Sequence, residues 1–245
     1  RLNPDLCKMS PFPGWVNSHS PVLRVYPSRV TEPYTGDGMD QDTKFWDKAA
    51  TKYARKPVRN QSAYAETLDR TRHYLRPDQN VLEIGCGTGS TALLLAPSVG
   101  QITATDLSPA MIAIAQNKLA DGKHPNVHFR TARLSDGDLA DQVFDAVLAF
   151  NVLHLVRDIP AEIRAIHQRL EPGGLFISKT GCLGEAGRFL ALVIVVMRKL
   201  GFAPFVHSLR YGELDAMITS EGFEIIETGL YPASDHARFV VARKL

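Results

Sequence analysis

Residues 81–90 read VLEIGCGTGS, with glycines at 85, 87 and 89 directly behind a short run of strand-forming residues. Glycines so spaced let the chain turn tightly and let its backbone approach a ligand with no Cβ in the way. A helix starting behind such a turn aims free N–H groups at an anion placed there. Asp106 follows Gly85 by 21 residues and ends the next strand-like run, QITATD. A carboxylate at that place can accept both hydroxyls of a ribose. The combination points to a nucleotide-like ligand. Two ligand classes fit poorly. No Gly-Lys-Ser/Thr follows the turn, which excludes a Walker A loop. The dinucleotide pattern G-x-G-x-x-G would need its third glycine at Ser90, whereas here it falls at Gly89.

These residues need elements to hold them. QDTKFWDKAATKYARK places Phe45, Trp46, Ala49, Ala50 and Tyr53 at helical spacing, with Pro57 as the stop. SAYAETLDRTRHYL continues as a second helix to Leu75, and a turn leads into the strand at 81–84. Beyond the glycines, a helix from Ser90 stops near Pro97. Ser108-Pro109 then caps a helix running to near Gly122. NVHFRT and the largely apolar FDAVLAFN read as strands, the second of the kind buried on both faces of a parallel sheet. IPAEIRAIHQRLEPGG reads as a helix closed by Pro-Gly-Gly, with LFISKT as the next strand. YGELDAMITSEG is a last helix. FEIIETGLY and RFVVARKL are strands joined by so short a loop that they must pair antiparallel. The expected fold is a doubly wound α/β sheet of seven strands, mostly parallel, with an antiparallel last strand.

The segments VLEIGCGTG (81–89), TATDLSPAMI (103–112), FDAVLAFNVLHLV (144–156) and LEPGGLFISK (170–179), with the closing hairpin, resemble the class I S-adenosylmethionine (SAM)-dependent methyltransferases. The resemblance covers about residues 40–245, and FWDKAATKYA is similar to the opening of the small-molecule branch, which includes quinone-precursor and phospholipid methyltransferases. It implies SAM as cofactor. Gly85, Cys86 and Gly87 would form the turn against it, Cys86 serving by its small size. Glu83 would lie near the methionine end, and Asp106 with Leu107 at the ribose. Met111 matches a position that packs on adenine, although plain helix core suits it equally. The acid that often meets the adenine amine is not obvious here. Arg133 stands near its place, Asp136 reads as a solvated loop charge, and the backbone at Leu134 is the expected adenine contact. Asn151 would line the cleft near the sulfonium. In the first helix, Tyr53 is preferred to Trp46 as the lid over the methionine moiety, with core anchoring as the plainer role of both; Tyr64 has no assigned role. His154 is the first candidate for a general base, set against the plainer reading of a packing histidine. His167 and His207 have weaker cases.

The bulk properties constrain the rest. A net charge of +2 with 22% charged residues gives no electrostatic case for nucleic-acid binding. Cys7, Cys86 and Cys182 have neither metal-ligand nor disulfide spacing, so a reducing, cytoplasmic setting is expected and no metal. The longest apolar run, FLALVIVVM at 189–197, is too short to span a bilayer. It lies in the largely apolar segment 181–209, where the fold usually inserts substrate-binding structure. That segment reads as a core helix or homodimer face, or as a cap over a lipophilic acceptor that could also meet a membrane surface. Residues 1–38 hold six of the fifteen prolines without periodicity and read as a poorly ordered extension. Met39, at the junction, is a candidate initiator of the 39–245 methyltransferase domain.

The function expected is direct, in-line methyl transfer from SAM to a small lipophilic or aromatic acceptor. A SAM-binding protein without activity stays open as an alternative. So does an NAD(P)-dependent oxidoreductase, against which the glycine spacing and the terminal hairpin count.

Overall fold

A computed structural model of the chain describes residues 36–58, 60–120, 122–134, 139, 142–186, 197, 203–231 and 236–245. Seven strands form one sheet: β1 (Asn80–Ile84), β2 (Gln101–Asp106), β3 (Val127–Thr131), β4 (Phe144–Phe150), β5 (Leu170–Gly181), β6 (Phe223–Leu230) and β7 (Ala237–Lys244). Their order is β3-β2-β1-β4-β5-β7-β6, with β7 antiparallel to both of its neighbours and the other pairings parallel. The chain winds outward from β1 to β3 and then returns to lay β4 on the other side of β1. The winding therefore reverses between β1 and β4, and in open α/β sheets the crevice at the carboxyl ends of such a pair receives ligands.

Helices cover both faces. On one side α2 (Gln61–Arg72), α3 (Ser90–Leu95) and α4 (Pro109–Asn117) pack on Val81, Ile102, Leu148 and Ile177. On the other, α5 (Ile159–Arg169) and α6 (Tyr211–Ser220) pack on Leu82, Val147 and Phe176. The apolar positions of α5 show why it docks. Ile159, Ile163 and Ile166 fall on one helical stripe and are at most 2% exposed, and each such burial stabilises the fold by roughly 1.5–3 kcal/mol. Both α4 and α5 start on a capped proline turn. The Ser108 hydroxyl accepts the Met111 N–H at 3.1 Å, and the Asp158 carboxylate accepts the Ala161 N–H at 3.0 Å.

Several boundaries differ from the sequence expectation. The first helix, α1, runs Gly36–Ala54 and so begins before Met39. The second ends at Arg72, with Tyr74 and Leu75 in tight turns that follow it. Pro-Gly-Gly at 172–174 does not separate a helix from a strand. Strand β5 already pairs at Leu170, opposite Phe144, and Glu171–Gly174 bulge out before pairing resumes at Leu175 opposite Ala146. Most of the proline-rich stretch (1–35) and most of the apolar segment (187–196 and 198–202) lie outside the described residues. Of the latter segment, Leu183–Glu185 form one 3-10 turn.

Candidate SAM-binding cleft

At the carboxyl edge of the sheet, beside the reversal between β1 and β4, a cavity of about 710 Å³ opens. Its wall includes Tyr53, Glu83, Gly85, Cys86, Gly87, Asp106, Leu107, Met111, Leu134 and Asn151, so the structure brings all ten of the expected cofactor residues to one space.

The glycine turn has a definite construction. Gly85 sits at φ +63°, and a Cβ there would stand 2.4 Å from Val152 Cγ2. Gly89 sits at φ +76° and opens α3, and a Cβ there would meet the Phe129 ring at 2.4 Å. Both positions therefore need glycine for conformation and for space. The Cys86 N–H reaches the Thr105 carbonyl at 2.9 Å, which ties the turn to β2. Asp106 then closes it: one carboxylate oxygen accepts the Gly87 N–H at 2.8 Å and the other accepts the Ser108 N–H at 2.9 Å. Burial still pushes the Asp106 carboxyl upward, with these backbone donors acting against it. Cys86 is buried and its thiol is raised well above the ordinary range by burial, which makes it an unreactive small residue.

Glu83 is 2% exposed, and its Oε2 has no hydrogen-bond partner among the described residues. Burial, with the nearby Asp106 charge adding to it, pushes its carboxyl up to about 8. A buried, unpartnered carboxyl oxygen on a cavity wall calls for a donor from a ligand. The cationic ammonium of a methionine moiety is such a donor, while Asp106 suits ribose hydroxyls and the glycine turn leaves room for close approach. The residues present thus fit SAM. Asn151, at the end of β4, is the one non-glycine residue at positive φ (+56°) among those described, and its N–H donates to the Lys179 carbonyl at 2.7 Å. Strained backbone of this kind recurs at ligand sites.

Helix α1 roofs the site and is pinned at two points. Asp47 accepts the Ser108 hydroxyl at 2.5 Å and the Ala110 N–H at 3.1 Å at the start of α4. Asp42 accepts Arg157 in a two-pronged pair, Nε to Oδ2 at 2.9 Å and Nη2 to Oδ1 at 3.1 Å. The Arg157 guanidinium also lies over the Phe205 ring at 5.0 Å. Tyr53 sits above the turn: a Cβ on Gly87 would lie 3.8 Å from Tyr53 Cε1. Trp46 lines the same cavity and meets Tyr53 edge to face.

His154 does not line the cavity. It sits in the 3-10 turn Leu153–Leu155, where its ring packs against Gly181 and its Nδ1 is buried without a partner among the described residues. Burial, with His207 adding, holds its basicity down to about 4. The packing reading describes this geometry; the base reading does not. Asp42, Arg157, Glu162 and Lys179, which line the cleft, and Asp47, which pins α1 beside it, were missed from the sequence because each takes its place through a contact or a register distant in the chain. Among the described residues no group of three or more His, Cys, Asp or Glu side chains could hold a metal ion. None of the described helices is long and apolar enough to cross a membrane.

The sheet order and the cleft define the class I SAM-dependent methyltransferase fold. Residues 81–174 match the family model of the methyltransferase domain. It is 32% identical over 155 residues to a ubiquinone biosynthesis O-methyltransferase of Methylobacterium nodulans, an alignment covering 61% of each chain. The chain thus spans about three fifths of that relative's length. Among solved structures it is similar to DhpI in complex with SAH (TM-score 0.67, 22% identity, 86% of this chain and 98% of the other). It is also similar to the [4+2]-cyclase SpnF (TM-score 0.60, 19% identity, 78% and 84%).

Proposed function

We propose that the protein transfers a methyl group from SAM to a small, lipophilic or aromatic acceptor. The observation that carries this is the division of the cavity. One end holds the glycine turn, Asp106 and the open oxygen of Glu83, a polar cradle for SAM. The wall also carries Trp46, Phe150, Val152, Leu155 and Val156, apolar side chains that suit a ring or chain beside Asn151, along with charged groups such as Arg157 and Glu162. When bound, SAM supplies an activated methyl on a sulfonium. The chain's own part is to hold the acceptor in line and to keep water out. Helix α1, pinned through Asp42 and Asp47, serves as the roof that does so. The similarity to an O-methyltransferase of ubiquinone biosynthesis supports a small aromatic acceptor.

Calorimetry with SAM, SAH and NAD tests the cofactor, and binding of NAD without SAM would overturn the reading. A screen with methyl-labelled SAM against phenols, quinone precursors, fatty acids, phospholipids and polar amines tests the acceptor. Transfer only to polar amines would refute the lipophilic assignment. A second reading, SAM binding without methyl transfer, is favoured by the likeness in fold to a [4+2]-cyclase. SAM affinity with no labelled product across the screen would support it.

A further inference from the structure

The ionisable side chains lining the cavity are mostly engaged. Asp106 holds two backbone N–H groups, Asp42 holds Arg157, and the Lys179 ammonium donates to the Thr67 hydroxyl at 3.1 Å and the Tyr231 carbonyl at 2.7 Å. Glu83 lies on β1 at the SAM end. Glu162 is different. It stands in the first turn of α5, on the wall of the cavity that Leu155 and Val156 also line, and its carboxylate makes no hydrogen bond or ion pair with any other described residue.

We propose that Glu162 is the general base for methyl transfer to a hydroxyl-bearing, phenol-like acceptor. This rests on the SAM reading above. In the step, the acceptor O–H gives its proton to the Glu162 carboxylate as the acceptor oxygen bonds to the methyl carbon. The carbon–sulfur bond breaks, the sulfur keeps the electron pair, and the proton passes to water once the product has left. A phenol ionises only near pH 10 by itself, so at neutral pH it needs a proton acceptor. Burial pushes the Glu162 carboxyl up to about 7, which suits a base working near neutrality.

The test is a series of phenols of increasing acidity, from phenol to 4-nitrophenol, assayed with labelled SAM on the wild-type chain and on Glu162→Gln and Glu162→Asp. Calorimetric SAM affinity is measured alongside. The expected result is SAM affinity unchanged within about threefold, and a loss in Glu162→Gln of about 10²–10⁴-fold on phenol. That loss should shrink below about tenfold on 4-nitrophenol, which ionises without help, and Glu162→Asp should recover part of the rate on phenol. An equal loss across the series in both variants, with SAM affinity kept, would mean a positioning role and overturn the proposal. So would a wild-type chain that binds SAM but methylates no phenol. Failure of the wild-type chain to bind SAM would instead sink the cofactor reading on which the proposal stands.

Discussion

The Asp106 carboxylate holds the Gly87 N–H at 2.8 Å, and its second oxygen holds the Ser108 N–H at 2.9 Å. The residue expected to meet the ribose therefore also fixes the turn that approaches the rest of the ligand. Replacing it removes a charge-assisted bond worth roughly 1.5–3 kcal/mol. Asp106→Ala should weaken SAM binding by about 10–100-fold and lower the stability of the ligand-free chain. Calorimetry and denaturant melts check the two effects, and full SAM affinity in the variant would remove the ribose assignment.

Glu83 carries a pH signature. Its carboxyl is raised from 4.5 to about 8 by burial, so between those values the folded chain keeps a proton that the unfolded chain has released. Its contribution to stability is full below about 4.5 and is lost as pH rises through about 8. Glu83→Gln should therefore melt higher than the wild type under alkaline conditions while binding SAM at least about tenfold more weakly, through the lost ammonium partner. A constant offset between the two melting curves from pH 4.5 to 8 would contradict this.

Gly85 meets two constraints at once, a left-handed φ and the nearness of Val152. Gly85→Ala should destabilise the chain by at least about 2 kcal/mol. Adding Val152→Ala removes the nearest atom, Cγ2, but leaves the residue 152 Cβ 2.7 Å away and the left-handed conformation, so only part of the loss should return. Urea titrations of the single and double variants measure the recovery. Complete recovery would mean that space alone decides the position.

The Asp42–Arg157 pair ties helix α1 to the loop after β4 by two parallel bonds. Lysine keeps the charge but cannot reproduce the fork. Arg157→Lys should change stability by less than about 1 kcal/mol yet speed SAM dissociation severalfold, because the roof opens more often. Stopped-flow displacement by excess SAH reads this directly, and an unchanged off-rate would show that the roof is held elsewhere.

His154 gives the opposite pH sign from Glu83. Its basicity is lowered from 6.5 to about 4, so as pH falls through that window the unfolded chain takes up a proton that the folded chain refuses, and stability drops. His154→Leu should lose this acid-side slope and keep SAM affinity within about threefold. Melting curves between those pH values settle it.

The sequence by itself determined the parts whose physics is local. The alternation of apolar strands with capped helices specified a doubly wound sheet, and the short link before RFVVARKL required an antiparallel end. Glycines 85, 87 and 89 with Asp106 marked the ligand turn, because their spacing is set by one strand–turn–helix unit and the strand after it. Tertiary structure decided what depends on contacts between distant segments. Pairing of Leu170 with Phe144 drew Pro-Gly-Gly into a bulge of β5, overriding its turn preference. Packing against Gly181 placed His154 off the cavity wall, which decided between the two roles, base or packing residue, that its position three residues after Asn151 left open. Glu162, which no local motif marks, lines the cavity because Ile159, Ile163 and Ile166 lock α5 onto the sheet in one rotation. Asp42 and Asp47 gained roles only when α1 came to lie across the strand ends.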